Sequence, residues 1–156
     1  MDLYNDKNFV RSLIIDHATR PVNLITKDKV PANEHTFCYK TITDTCTDDL
    51  TLVLSTNAST IIGASFYGIG CAISTSSIDL LCNQLINKDF ATAQKILAAY
   101  FQMIANGEIT DAALLGDLVV FKNIYKQQNR IMCAKSCALS ATKIIEDIKN
   151  HEHENN

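Results

Sequence analysis

Basic residues are not in excess in this chain: 14 Lys and Arg stand against 17 Asp and Glu, for a net charge of −3. A protein built to neutralise phosphates is normally basic, so nucleic acid is not expected as the main partner. With two prolines and five glycines, the composition is not collagenous. The longest run without Asp, Glu, Lys or Arg extends from Leu50 to Ile78. It is rich in Ser, Thr, Gly and Asn, which excludes a transmembrane helix, and no membrane partner is expected. The opening, Met1 to Lys7, lacks the basic-then-apolar order of a secretory signal, so the expected location is cytoplasmic. No internal repeat is visible. No Cys-x-x-Cys pair occurs, which excludes a zinc-finger knuckle.

What is present is a chain of 156 residues, 47% hydrophobic and 20% charged. That length and composition predict one globular domain over residues 1–150, burying about two-thirds of its unfolded surface. Residues 151–156, His-Glu-His-Glu-Asn-Asn, contain no apolar side chain and are expected to be a disordered polar tail. Six cysteines stand at 38, 46, 71, 82, 133 and 137. Three disulfides would require a secreted chain, and usually one too small to make a core. In a reducing compartment the thiols are packing residues, nucleophiles or metal ligands.

Apolar residues at Phe9, Val10, Leu13 and Ile14 recur at helical spacing and predict a helix over Asn5–Thr19, capped by Asn5 or Asp6 and stopped before Pro21. His17 on that stripe reads as a packed or edge histidine. Residues 37–67 hold three β runs joined by short polar turns, an antiparallel meander. Helical periodicity follows from Cys71 to about Asn87, from Phe90 to Ala105 with Asn106-Gly107 as a stop, and from Asn129 to Lys149. Shorter helical pieces around Gly116 fill the gap. The fold class is α+β: a small three-stranded antiparallel sheet covered on one face by several helices.

Three segments carry chemistry. In Thr45-Cys46-Thr47-Asp48, positions two apart on an extended chain face the same way, so Cys46 and Asp48 can reach one centre. In Gly68-Ile69-Gly70-Cys71, strand pattern gives way to helix pattern, which puts Cys71 near a helix N-terminus that favours a thiolate. In Arg130-Ile131-Met132-Cys133, the arginine and the cysteine share a helix face, and a guanidinium there would lower the thiol's pKa. Three thiols and a carboxylate from separate elements make a four-donor set; thiolates select zinc or iron–sulfur species, and the oxygen is the more exchangeable member. Cys38, Cys82 and Cys137 read as packing residues; Cys137, four residues after Cys133, is also placed to act as a substitute ligand or resolving thiol.

These segments resemble a known family. Gly68-Ile69-Gly70-Cys71-Ala72-Ile73-Ser74, preceded by Phe66, is similar to the second-cysteine motif of the NifU/IscU/SufU iron–sulfur assembly proteins. Cys46-Thr47-Asp48 resembles their first motif, normally Cys-Gly-Asp, and Arg130-Ile131-Met132-Cys133-Ala134 their third. The match runs from about Leu3 to Ile148. The 24 residues between Cys46 and Cys71 and the 61 between Cys71 and Cys133 match the spacing of the SufU branch. So does the extra helical segment around Leu114–Leu118. The IscU branch's histidine before the third cysteine is absent, Met132 standing there, and so is its Leu-Pro-Pro-Val-Lys signal. Departures are Thr47 in place of the family glycine, Asp44-Thr45 in place of Asn-Pro, and Cys137 where an aromatic residue is usual nearby.

The resemblance implies zinc held by Cys46, Asp48, Cys71 and Cys133. It implies sulfurtransferase-like chemistry in which Cys46 accepts persulfide sulfur from a cysteine desulfurase of the SufS type. Arg130 would steady the negative charge of the centre. Sulfur would pass to a downstream iron–sulfur scaffold or apo-protein. The alternative it implies is a scaffold on which the same four residues assemble and hand on a [2Fe–2S] cluster.

Overall fold

The computed structural model describes residues 2–41 and 48–154. A 3-10 turn at Leu3–Asn5 leads into helix α1, Lys7–Thr19. Asp6 caps α1: its carboxylate accepts from the backbone N–H of Asn8 and Phe9. Strands β1 (Thr36–Lys40), β2 (Asp49–Asn57) and β3 (Thr60–Ile69) form one antiparallel sheet in the order β1-β2-β3. Helices α2 (Ala72–Leu85), α3 (Phe90–Asn106), α4 (Ala112–Leu115) and α5 (Gln128–Glu154) follow, with 3-10 turns at Gly116–Phe121 and Ile124–Lys126. The meander and the helical second half are thus as expected.

Strand alternation decides which side chains face the helices, although Thr51 and Val53 on the other side of β2 are buried too. Leu52 lies opposite Tyr39 and Phe66, and Leu54 opposite Phe37 and Ala64. That face packs on Ile78, Leu81, Leu85, Ile96, Tyr100 and the apolar side of α5. Each fully buried Leu, Ile or Phe stabilises the fold by about 1.5–3 kcal/mol. The same alternation turns Cys38 the other way, and it is exposed rather than packed, because Phe37 and Tyr39 take the inward positions on β1.

Helix ends follow local chemistry. Gly107, with φ 82°, closes α3 in the left-handed conformation, and its N–H donates to the Met103 carbonyl. The last helix runs on to Glu154, beyond the end expected at Lys149. Its polar final turns contain no Gly or Pro, and good helix formers extend a helix already anchored by Ile144, Ile145 and Ile148.

His17 sits at the end of α1, and its Nδ1 lies 2.5 Å from Asp79 Oδ2. Asp79 is wholly buried and also accepts from the backbone N–H of Val22 and Asn23 and from Asn23 Nδ2. One carboxylate on α2 therefore fixes the end of α1 and the turn that follows it.

Candidate metal centre

The β2–β3 hairpin delivers two donors to one place. Asp48 immediately precedes β2, and Ile69 at the end of β3 pairs with Asp49. Gly68, with φ 113°, lets the strands close here: a Cβ on it would lie 2.0 Å from the Asp49 carbonyl oxygen. Three residues later Cys71 becomes the N-cap of α2, its sulfur accepting from the Ser74 N–H at 3.4 Å. The predicted helix N-terminus at Cys71 is therefore the observed one. Cys133 reaches the same place from the second turn of α5.

The donor atoms of Asp48, Cys71 and Cys133 lie within 4.8 Å of one another. Asp48 is held at both oxygens. Oδ1 accepts the Cys71 backbone N–H at 2.8 Å, and Oδ2 accepts the Ser74 hydroxyl at 2.5 Å. The Cys71 thiol donates to Ser74 Oγ at 3.3 Å, and the Cys133 thiol approaches Asp48 Oδ2 at 3.8 Å. Asp48 and Cys133 are buried, whereas Cys71 is partly open.

Burial pushes the Cys133 thiol up to about 11. The Ser74 hydroxyl offsets part of that rise, while the neighbouring Cys71 and the charge of Asp48 add to it. Arg130, expected to lower the thiol's pKa, is exposed and lines a groove on the α1 side. No ion pair to Lys, Arg or His engages Asp48 among the described residues. A divalent ion among three converging acidic donors would balance their negative charge. Zinc bonds of roughly 2.0–2.3 Å put tetrahedral donors about 3–4 Å apart, close to the spacing of this trio. The donor set therefore fits zinc.

Cys46 and Thr47 lie outside the described residues, so the fourth expected donor has no described position. Ser74 is the residue whose role the sequence reading missed. It stands 2% exposed between the Asp48 carboxylate and the Cys71 sulfur. Its signal was present as the last residue of the Cys71 motif, but a serine in a helix's first turn has many uses, and its partner Asp48 is 26 residues away. Cys82 and Cys137 are buried as expected and do not join the cluster.

The model of the NifU-like N terminal domain family matches residues 10–134, and the chain belongs to that family. The chain is 27% identical over 125 residues to the zinc-dependent sulfurtransferase SufU of Bacillus subtilis (strain 168), covering 80% of each. It is 24% identical over 142 residues to the iron–sulfur cluster assembly scaffold protein IscU of Streptococcus pyogenes serotype M1, covering 91% of this chain and 86% of that one. The crystal structure of a nitrogen-fixing NifU-like protein (N-terminal) from Brucella abortus superposes with a TM-score of 0.76 at 13% identity, covering 96% of both chains. The last likeness bears on the fold alone, and it is the α+β arrangement described above.

Proposed function

We propose that this protein serves iron–sulfur cluster assembly as a zinc-dependent acceptor of persulfide sulfur from a cysteine desulfurase. The observation that carries the reading is the convergence of Asp48, Cys71 and Cys133, with no ion pair to Asp48 among the described residues. Zinc, when bound, keeps the coordinating thiols deprotonated near neutral pH. Asp48, Cys71 and Cys133 would hold it, with Cys46 as the fourth donor by family resemblance. Likeness to a relative named as a zinc-dependent sulfurtransferase supports the same choice.

The chain's own residues have separable tasks. Cys46 supplies the attacking thiolate. It forms a bond to the outer sulfur of the donor's persulfide, the donor's S–S bond breaks, and the donor cysteine leaves as a thiolate. No electrons are gained or lost overall. Ser74 and the Cys71 N–H hold the Asp48 carboxylate in place. Arg130, exposed one turn before Cys133, meets the negative charge of the arriving persulfide. The sulfur then passes to a downstream scaffold or apo-protein.

The test is alanine release by the desulfurase of the same organism, with a reductant that clears the persulfide. The zinc form should raise the rate, and Cys46→Ala should abolish the rise. A wild-type protein that gives no stimulation, yet accumulates iron and sulfide and donates a [2Fe–2S] cluster, would replace this reading with that of a scaffold, in which the cluster is cargo on the same donors.

A further inference from the structure

A groove of about 1050 Å³ lies beside the centre and not in it. Its walls are α1, the turn around Lys122 and the start of α5, and Ala72 and Ile73 at the start of α2 contribute to its lining. Four cations line it, Lys7, Arg11, Lys122 and Arg130, and no Asp or Glu does. Lys122 donates to Asn5 Oδ1, but Lys7, Arg11 and Arg130 are exposed and make no ion pair among the described residues.

These cations oppose the local rules of helix stability. Lys7 is the first residue of α1 and Arg11 is four residues on, a like-charge pair on one face. Arg130 is the third residue of α5. Neither helix has an acidic residue in its first turn, so basic charge sits at the positive end of both dipoles. Among the described residues no ion pair compensates these cations, and α1 has its Asp6 cap. The arrangement becomes favourable only when negative charge arrives from outside, in a chain whose net charge is itself −3.

The groove is also partly apolar. Val10, Ile14, Ile15 and Ile73 line it, and Ile15 is 47% exposed. A small polyanion would leave that strip wet. We propose that the groove docks an acidic segment of a partner polypeptide that also carries aliphatic side chains, glutamates or aspartates meeting Lys7, Arg11 and Arg130 while leucine-like residues cover the strip. Resting on the sulfur-transfer reading, that partner is the protein presenting the persulfide, and docking here holds its reactive cysteine beside Cys71 and Cys133, since Ala72 directly follows one and Arg130 lies a turn before the other.

The test is fluorescence anisotropy with the zinc-loaded full chain and a labelled synthetic peptide of alternating glutamate and leucine pairs. The peptide should bind, and added salt should weaken it. The double variant Lys7→Glu, Arg11→Glu should weaken it by about tenfold or more, and Ile15→Ser by a smaller factor, with zinc content unchanged. A peptide with serine in place of leucine should bind more weakly, and one with lysine in place of glutamate should not bind. No binding to the wild type, or equal binding to the double variant, overturns the proposal. So does equal binding of the serine peptide with displacement by pyrophosphate, which would make the groove a site for small polyanions. In the alanine-release assay the double variant should need about tenfold more protein for half-maximal stimulation while reaching the same plateau. The peptide titration needs neither desulfurase nor sulfur, so a failed sulfur transfer and an empty groove are separate results.

Discussion

Helix α2 with its N-cap and helix α5 each carry two cysteines, and these fall into two pairs with opposite surroundings. Cys71 and Cys133 sit at or near the N-terminal ends of their helices and meet Asp48. Cys82 and Cys137 lie further along the same helices, wholly enclosed by the core. Burial drives the Cys82 thiol well above its ordinary value and the Cys137 thiol up to about 12. Cys133 is also raised by burial, yet it shares its environment with a carboxylate and a second thiol. What separates a candidate ligand from a packing residue here is convergence with other donors. Burial alone does not separate them.

The largest effect should come from exchanging members of the two pairs. Cys71→Ser or Cys133→Ser should abolish stoichiometric zinc binding, read by metal analysis after gel filtration, because one lost thiolate leaves too few soft donors. Cys82→Ser should keep zinc and lower stability by about 1–3 kcal/mol in urea unfolding, since it buries a hydroxyl in an apolar setting. Zinc lost from a folded Cys82→Ser protein, or kept in full by Cys71→Ser, would erase the distinction.

A smaller effect sharpens the comparison at the residue joining its functional half. Ser74→Ala removes the hydroxyl between Asp48 and Cys71 without touching a donor atom. Zinc affinity should fall about 10–100-fold, measured by competition with a chelator, while the unfolding midpoint of the metal-free protein moves little. Ser74→Thr should recover part of the affinity. Unchanged affinity in Ser74→Ala would make the hydroxyl merely a helix-end contact.

The smallest concerns a side chain outside both pairs. The Tyr4 hydroxyl donates to Asp117 at 2.6 Å, and chiefly this bond raises its pKa from 10.0 to about 12. Folding therefore favours the protonated phenol. Its contribution to stability is complete below about pH 10 and is lost as pH rises through 12. Two late-titrating tyrosines should appear in the phenolate absorbance, Tyr4 and the buried Tyr100, and only the first should return toward 10.0 in Asp117→Asn. The cysteine pairs should keep their zinc and reactivity in that variant.

The elements themselves were largely legible, because their signals are local. The stop at Asn106-Gly107, the cap at Asp6 and the short polar turn between β2 and β3 each lie within a few residues. The convergence of Asp48, Cys71 and Cys133 could be read from three motifs, and the helix start placed Cys71 at an N-cap; the spacing of Cys46 and Asp48 lies partly outside the described residues. What stayed hidden depends on partners distant in sequence. Asp79 and His17 are 62 residues apart, and no periodicity announces their bond. The exposure of Arg130 was hidden for the same reason: helix spacing puts it on the face of Cys133, but the packing of α1 opens a groove beside it.

The Asp79 anchor has a bearing on how the molecule avoids its own kind. The segment after Pro21 lies along the outer edge of β3, with the Ile25 N–H donating to the Phe66 carbonyl and the Phe66 N–H to the Asn23 carbonyl. An edge left bare would offer the same groups to another chain, a template for runaway strand addition. By gripping Asn23, the buried carboxylate works as the latch of a guard rail. Asp79→Asn, unable to accept at both oxygens, should therefore surface first as a propensity to form fibrils on gentle warming, before any change at the metal donors.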